Sequence, residues 1–117
     1  MPIVTVTALP ADAGTVDRLL ARVVADLAAA VGCPPGDVWA SYVPAAAQHV
    51  GERRAAAAGQ CPVVVIRGRV RADEQVAAGL AAAARAVAAE LRMPVEDVWL
   101  QWVDVQSGRA YAGGGPL

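Results

Sequence analysis

The sequence contains an internal duplication with a constant spacing of 60 residues. The tripeptide Asp-Val-Trp at 37–39 recurs at 97–99, and 97 − 37 = 60. The same spacing relates the run Pro-Ile-Val-Thr-Val at 2–6 to Pro-Val-Val-Val-Ile at 62–66. Several matches at one spacing are the signature of a repeat. The 117-residue chain therefore consists of two copies of one unit, each about 60 residues long.

Each copy has the pattern of a strand, a helix and a second strand. Residues 3–8 and 63–69 are rich in β-branched side chains, which favours strands. A stripe of apolar residues at helical spacing follows each of them. These stripes are Val16, Leu19, Leu20, Val23, Val24, Leu27 and Val31 in the first copy, and Val76, Leu80, Ala83, Ala84, Val87 and Leu91 in the second. The closing strands are predicted at residues 38–43 and 98–104.

Two such units predict an α/β fold. A strand–helix–strand unit this short implies a right-handed βαβ crossover between parallel strands. We therefore expect a tandem βαβ repeat, with a four-stranded mixed sheet and two helices on one face. The predicted organisation is a single domain, with repeats at about 1–44 and 62–104, a connector at 45–61 and a C-terminal hairpin at 105–117. The connector is long for a structureless loop, so a short turn or strand is expected within it.

The closing strands carry large apolar residues on both faces. In residues 98–104, Leu100 and Trp102 alternate with Trp99 and Val103. Two helices can cover only one face of the sheet. The apolar residues on the other face therefore predict self-association through that open face.

Charge and composition exclude several classes of protein. The formal net charge is -1, from 10 Lys+Arg and 11 Asp+Glu, so no nucleic-acid partner is expected. No window of about 18 residues lacks charge, so no membrane span is expected. The first residues lack the basic and apolar regions of a secretory signal, which predicts a cytoplasmic location. Cys33, Cys61 and the single His49 lack metal-ligand spacing. We expect two reduced thiols and no metal.

Pro2 is the residue from which we predict chemistry. A proline after Met1 permits removal of the methionine, which would leave a free secondary amine. An α-amino group titrates at roughly 7.7–8.0. Burial or a neighbouring arginine lowers this pKa, which would produce a general base at neutral pH. Pro62 holds the same position in the second copy, but it is bonded to Cys61 and has no basic nitrogen. The alternative is that Pro2 only precedes an edge strand.

These features resemble the tautomerase superfamily. The residues that carry the resemblance are the opening Met-Pro-Ile-Val at 1–4 and the tail Gly-Arg-Ala-Tyr-Ala-Gly-Gly at 108–114. The tail is similar to the hairpin of 4-oxalocrotonate tautomerase (4-OT). The two-unit length is similar to the trimeric cis-3-chloroacrylic acid dehalogenase and malonate semialdehyde decarboxylase branches.

The resemblance covers nearly the whole chain. It implies a homotrimer, Pro2 as catalytic base and no cofactor. It also implies keto–enol tautomerisation of a small acidic or enol substrate, such as a 2-oxo acid or a compound like phenylenolpyruvate.

Arginines are the predicted ligands of the substrate carboxylate. Arg67, Arg69 and Arg71 occupy alternating positions, so they point to one side if the strand continues. The guanidinium group suits a carboxylate because it donates two parallel hydrogen bonds. The resemblance implies that Arg71, and after it Arg69, binds the carboxylate and lowers the pKa of the proline. The alternative is that Arg71 is a solvated loop residue paired with Asp73 or Glu74.

Three aromatic residues complete the predicted site. Trp39 and Trp99 stand where 4-OT-type tautomerases carry an arginine, which favours a more apolar or aromatic enol. Their alternative role is packing in the core or an interface. Tyr111 could close the pocket or donate to an enolate oxygen, and packing is again the alternative. The acid that dehalogenases of this superfamily use would fall near Ala110, so hydration of a haloacrylate is not expected.

Two other functions stay open on the sequence alone. One is decarboxylase or dehalogenase chemistry on a three-carbon acid, which a water-activating acid beside Pro2 would favour. The other is a non-catalytic trimer used for binding or assembly. It follows if Met1 is retained, because the nitrogen of Pro2 is then an amide.

Overall fold

The structure, a computed structural model, describes residues 1–56 and 60–117. Residues 57–59, which belong to the predicted connector, lie outside the described residues. The helices and strands are β1 (Ile3–Ala8), α1 (Ala13–Val31), β2 (Trp39–Pro44), β3 (His49–Val50), β4 (Arg53–Arg54), β5 (Val63–Arg69), α2 (Asp73–Leu91), β6 (Trp99–Val105), β7 (Tyr111–Ala112) and β8 (Gly115–Pro116). Both strands and the helix of the second copy begin 60 residues after their counterparts, as the duplication requires.

The main sheet has four strands in the order β2-β1-β5-β6. Strand β1 is parallel to β2, and β5 is parallel to β6, so each copy is a βαβ unit. The two units join through an antiparallel β1–β5 pair, in which Ile3 lies opposite Arg67. The predicted mixed sheet is therefore confirmed. Because the central pair is antiparallel, the beginning of β1 lies at the same end of the sheet as the end of β5.

The closing strands begin and end one residue later than predicted, at Trp39–Pro44 and Trp99–Val105. The later starts have a local cause. The cause is a short 3-10 turn before each strand. The backbone N–H of Val38 donates to the carbonyl of Pro35 at 3.0 Å, and that of Val98 donates to the carbonyl of Val95 at 3.2 Å. These two N–H groups close the turns, so the ladders start at the next residue.

The two helices pack on one face of the sheet and bury unequal side chains. Helix α1 buries large residues, including Leu19, Val23 and Leu27, whereas α2 buries mainly alanines and Gly79. A Cβ atom at Gly79 would lie 2.9 Å from Cγ1 of Val31. The small residues of α2 thus allow the helices to approach closely, and the core forms between them and the buried residues of β1 and β5.

The other face of the sheet carries no helix among the described residues, and its side chains alternate with the buried ones. Trp39 is 57% exposed and Trp99 is 55% exposed, and Ile3, Val43 and Val63 are exposed beside them. We call these five residues the open-face cluster. An apolar surface of this kind is typical of a subunit interface.

Short hairpins occur in the connector, where a short turn or strand was expected, and in the tail, where a hairpin was predicted. Strands β3 and β4 form one hairpin in the connector, and β7 and β8 form the other in the tail. Cys33 and Cys61 are free thiols. Within the described residues, neither helix is long and apolar enough to cross a membrane.

Candidate functional site

A cavity of ≈ 750 Å³ opens at the end of the sheet where β1 begins and β5 and β6 end. The antiparallel β1–β5 pair creates this arrangement, since it brings the chain start beside the arginine-rich end of β5. The lining residues are Met1, Ile3, Arg67, Arg69, Val70, Val105, Gln106, Ser107, Arg109, Ala110 and Leu117. The wall is thus mostly apolar, with three guanidinium groups.

The surroundings of the Met1 amino group favour its neutral form. Burial has the largest effect and lowers the pKa below its usual value, and the positive charges of Arg69 and Arg71 lower it further. Cys33 and Asp37 oppose this shift through weaker electrostatic effects. The amine of Met1 therefore loses its proton more readily than an ordinary α-amine.

Pro2 is the buried residue that follows the cavity residue Met1. Its side chain is fully buried, and its carbonyl accepts a hydrogen bond from the backbone N–H of Trp39 at 3.0 Å. Met1, and not Pro2, lines the cavity. In this chain the nitrogen of Pro2 is part of the peptide bond to Met1.

The structure brings Arg67 and Arg69 together at the cavity. They alternate along β5 and point to the open face, as their spacing predicts. Arg67 lies opposite Val103 of β6, and Arg69 lies opposite Val105. Both side chains therefore stand between the chain start and the strand that leads into the tail.

Arg71 is not among the residues that line the cavity. Its Nη1 donates to the carbonyl of Val31 at 3.0 Å, at the C-terminal end of α1. Its Nε is buried and has no hydrogen-bond partner among the described residues. No ion pair to Asp73 or Glu74 occurs within the described chain. Arg71 thus caps a helix, while its charge still reaches the amino group.

The three aromatic residues lie outside the cavity wall, in different places. Trp39 is opposite Ile3, at the same end of the sheet as the cavity. Trp99 is opposite Val63, and its backbone N–H donates to the carbonyl of Pro62. Trp99 therefore lies at the end of the sheet away from the cavity. Tyr111 is 73% exposed, and its hydroxyl donates to the carbonyl of Gly114 at 2.7 Å.

The tail contributes wall residues that were not predicted, of which Arg109 is the charged one. Two backbone hydrogen bonds fold the tail back on itself: Gly108 N–H donates to Leu117 O at 2.6 Å, and Leu117 N–H donates to Ala110 O at 2.8 Å. Gly108 has a φ of 78°, a conformation that favours glycine. The one sequence feature that could have pointed to Arg109 was its position within the Gly-rich tail.

In the other copy, the positions related by the 60-residue spacing to Arg67 and Arg69 carry no charge. The 60-residue spacing relates Arg67 to Thr7 and Arg69 to Leu9, and it relates Met1 to Cys61. The Cys61 thiol lies 3.7 Å from Oε1 of Gln48. The arginines of β5 therefore have no arginine counterparts at the related positions of the first copy.

We predict that replacing Arg71 has two separable effects. In Arg71→Ala, the carbonyl of Val31 loses its partner, so the free energy of unfolding should fall by about 1–2 kcal/mol. The pKa of the terminal amine should rise, because one positive charge near it is lost. Thermal unfolding and NMR titration of the amine measure the two effects. Arg85→Ala, an exposed position on α2, is the matched control. An unchanged amine pKa would contradict the electrostatic role.

Comparisons with known proteins place this geometry in a fold family. No protein-family model matches the sequence, and no curated protein matches it. Among solved structures, a fused 4-OT described as a wild-type asymmetric trimer gives a TM-score of 0.87 at 18% identity, over 97% of this chain and 94% of that chain. Pt0534 inactivated by 2-oxo-3-pentynoate gives 0.84 at 20% identity, over 97% and 93%. Macrophage migration inhibitory factor from Toxoplasma gondii gives 0.83 at 16% identity, over 98% and 99%.

Proposed function

We propose that this chain, which has the fold of the tautomerase superfamily, is a cofactor-independent tautomerase of a small 2-oxo acid. Pro2 is its general base once Met1 has been removed. The observation that carries the proposal is the position of the Met1 amino group beside a cavity lined by guanidinium groups, where burial and the charges of Arg69 and Arg71 lower its pKa. An amine in this field is unprotonated at neutral pH in a larger fraction of molecules than an ordinary α-amine, which is what a base requires.

In the proposed reaction, the site converts an enol to a ketone by moving one proton. Arg69 and Arg67 hold the substrate carboxylate through charge-assisted hydrogen bonds. The nitrogen of Pro2 takes the proton from the enol oxygen, and the guanidinium charges stabilise the enolate that forms. The protonated proline then delivers that proton to the carbon next to the carbonyl. The amine is regenerated, so no cofactor or second reactant is consumed.

The likeness to Pt0534 supports the class of substrate. That protein is inactivated by 2-oxo-3-pentynoate, which is a 2-oxo acid with a conjugated alkyne. Such an alkyne accepts an amine at its β-carbon, without a leaving group. The same compound is therefore a suitable probe of the amine in this chain. We expect one covalent adduct at Pro2, which raises the mass by that of one reagent molecule.

We propose further that the working form is a homotrimer assembled through the open-face cluster. Two fused 4-OT neighbours are described as trimers, and the exposed Trp39 and Trp99 supply apolar area for the contact.

We also propose the cytoplasm as the compartment of this protein. Cys33 and Cys61 are free thiols, and cytosolic proteins keep their thiols reduced.

The test of the function combines intact mass with an enol assay. Mass spectrometry of the purified protein decides whether Met1 is present. The chain without Met1 is expected to accelerate ketonisation of phenylenolpyruvate, followed by loss of enol absorbance. The rate should rise with pH and level off above a pKa lower than that of a free α-amine, because only the neutral amine accepts the proton. No acceleration by a chain that begins at Pro2 would overturn the proposal.

A further inference from the structure

We propose that the α-amino group of Met1 is a modification site, at which carbon dioxide adds reversibly and forms a carbamate that Arg69 holds as an anion. The inference concerns the chain that keeps Met1, the form whose amine the structure describes. It therefore does not depend on the proposed role of Pro2, and its test needs no turnover.

The first argument is the unusual amine content of the sequence. The chain contains no lysine, because all 10 residues of the Lys+Arg count are arginine. A guanidinium keeps its proton at any pH a protein survives, so it offers no neutral nitrogen to carbon dioxide. The α-amino group of Met1 is thus the one primary amine of this chain, and carbamate chemistry is confined to a single nitrogen.

The second argument is the register of the central strand pair. Strands β1 and β5 are antiparallel, with Ile3 opposite Arg67, and two further steps of this register bring Met1 opposite Arg69. Neighbouring strands lie about 4.8 Å apart, a distance that an arginine side chain spans. These four residues occupy alternate positions, share one face and all line the cavity. The amine is therefore within reach of the Arg69 guanidinium.

The third argument is that Arg69 has no anion of its own. Its side chain is exposed, and no ion pair of the described residues includes it. None of the described side chains that line the cavity is acidic, and the main-chain oxygen of Leu117 accepts from the N–H of Gly108 at 2.6 Å. Arg71, by contrast, donates to the carbonyl of Val31. A carbamate has the two-oxygen shape of a carboxylate, which suits a guanidinium.

The reaction needs the neutral amine and carbon dioxide only. The nitrogen lone pair forms a bond to the carbon of carbon dioxide, one C=O π pair moves onto its oxygen, and a nitrogen-bound proton leaves to water. Burial and the charges of Arg69 and Arg71 lower the pKa of the amine, which raises the neutral fraction, while Cys33 and Asp37 oppose this more weakly. The same positive charges stabilise the anionic product. Both effects favour the carbamate.

The test is carbon-13 NMR in labelled bicarbonate buffer at neutral pH, on a chain whose Met1 is confirmed by intact mass. The reference is a peptide of residues 1–8, which has the same amine and no charged side chain. The apparent carbamate constant of the protein should exceed that of the peptide by about threefold to tenfold, since one unit of pKa is a factor of ten. Equal constants, or no carbamate resonance from the protein, overturn the inference.

Two variants and one chemical control assign the site. Arg69→Gln should reduce the constant by about threefold, the effect of one exposed charge pair. Arg85→Gln, exposed on α2, should keep the wild-type constant. Acetylation of the α-amine should remove the resonance completely, because no lysine can replace it. A resonance that survives acetylation, or an Arg69→Gln protein with the wild-type constant, contradicts the inference. Circular dichroism checks that Arg69→Gln keeps the fold.

Discussion

A chain that keeps one residue in front of Pro2 is expected to ketonise phenylenolpyruvate about 10²–10⁴-fold more slowly than a chain that begins at Pro2. The reason is that the peptide bond converts the proline nitrogen into an amide, which cannot accept the enol proton. The assay compares the two forms at equal concentration, with intact mass confirming each terminus. Peptide mapping of the blocked form should also find no 2-oxo-3-pentynoate adduct on the nitrogen of Pro2.

Two controls separate the loss of the base from a loss of structure. Pro2 lies at the start of β1 and its carbonyl accepts the hydrogen bond of Trp39, which the extra residue leaves in place. The circular dichroism spectrum and the particle mass of the blocked form should therefore be unchanged. Pro2→Ala, once Met1 is removed, retains a primary amine and should keep part of the activity. If blocked and unblocked chains turn over equally, Pro2 is not the base, and a binding module becomes the better description of the chain.

A charge placed at Trp99 is expected to dissociate the assembly. Wild type should have about three times the chain mass of 11.9 kDa in light scattering at micromolar concentration. Trp99→Glu should shift the particle towards one chain mass, because an unpaired carboxylate inside an apolar contact costs several kcal/mol. Trp99 is 55% exposed in the single chain, so the substitution should leave the fold of the isolated chain unaffected.

Val95 offers a matched control for this experiment. It is an exposed apolar residue, but it lies in the 3-10 turn before β6 and outside the open-face cluster. Val95→Glu should therefore keep the wild-type mass. A monomeric wild type would contradict the interface role of the open face. If the Trp99→Glu protein remains trimeric, the subunit interface lies on a surface other than the open-face cluster.

The order of strands and helices was readable from the sequence because it depends on local patterns. The runs at 3–8 and 63–69 form β1 and β5 as predicted, and the apolar stripes form α1 and α2. The repeat adds a constraint that a single unit would lack, since each element is seen twice. The predicted bounds of β2 and β6 were one residue early at both ends. At the starts the reason is that the turn hydrogen bonds of Val38 and Val98 are not visible in an alternating pattern.

Parts of the candidate site were also predicted, where two residues share one strand. Arg67 and Arg69 point to the same side of β5 because side chains alternate along a strand. The expectation that nearby arginines lower the pKa of the terminal amine agrees with the field around Met1. The catalytic role of Pro2 and the carboxylate-binding role of the arginines stay predictions.

The sequence by itself determined what repeats, which residues alternate and where each element begins within a residue or two, because these are properties of neighbouring positions. Only the tertiary structure decided which side chains share the cavity. Equivalent residues Trp39 and Trp99 lie at opposite ends of the sheet because β1 and β5 run antiparallel. Arg71 donates to the carbonyl of Val31, 40 residues away in the sequence, and does not line the cavity. Arg109 lines the cavity because the tail folds back on itself. Contacts between distant positions depend on how the strands order and pack, and local sequence patterns do not encode that choice.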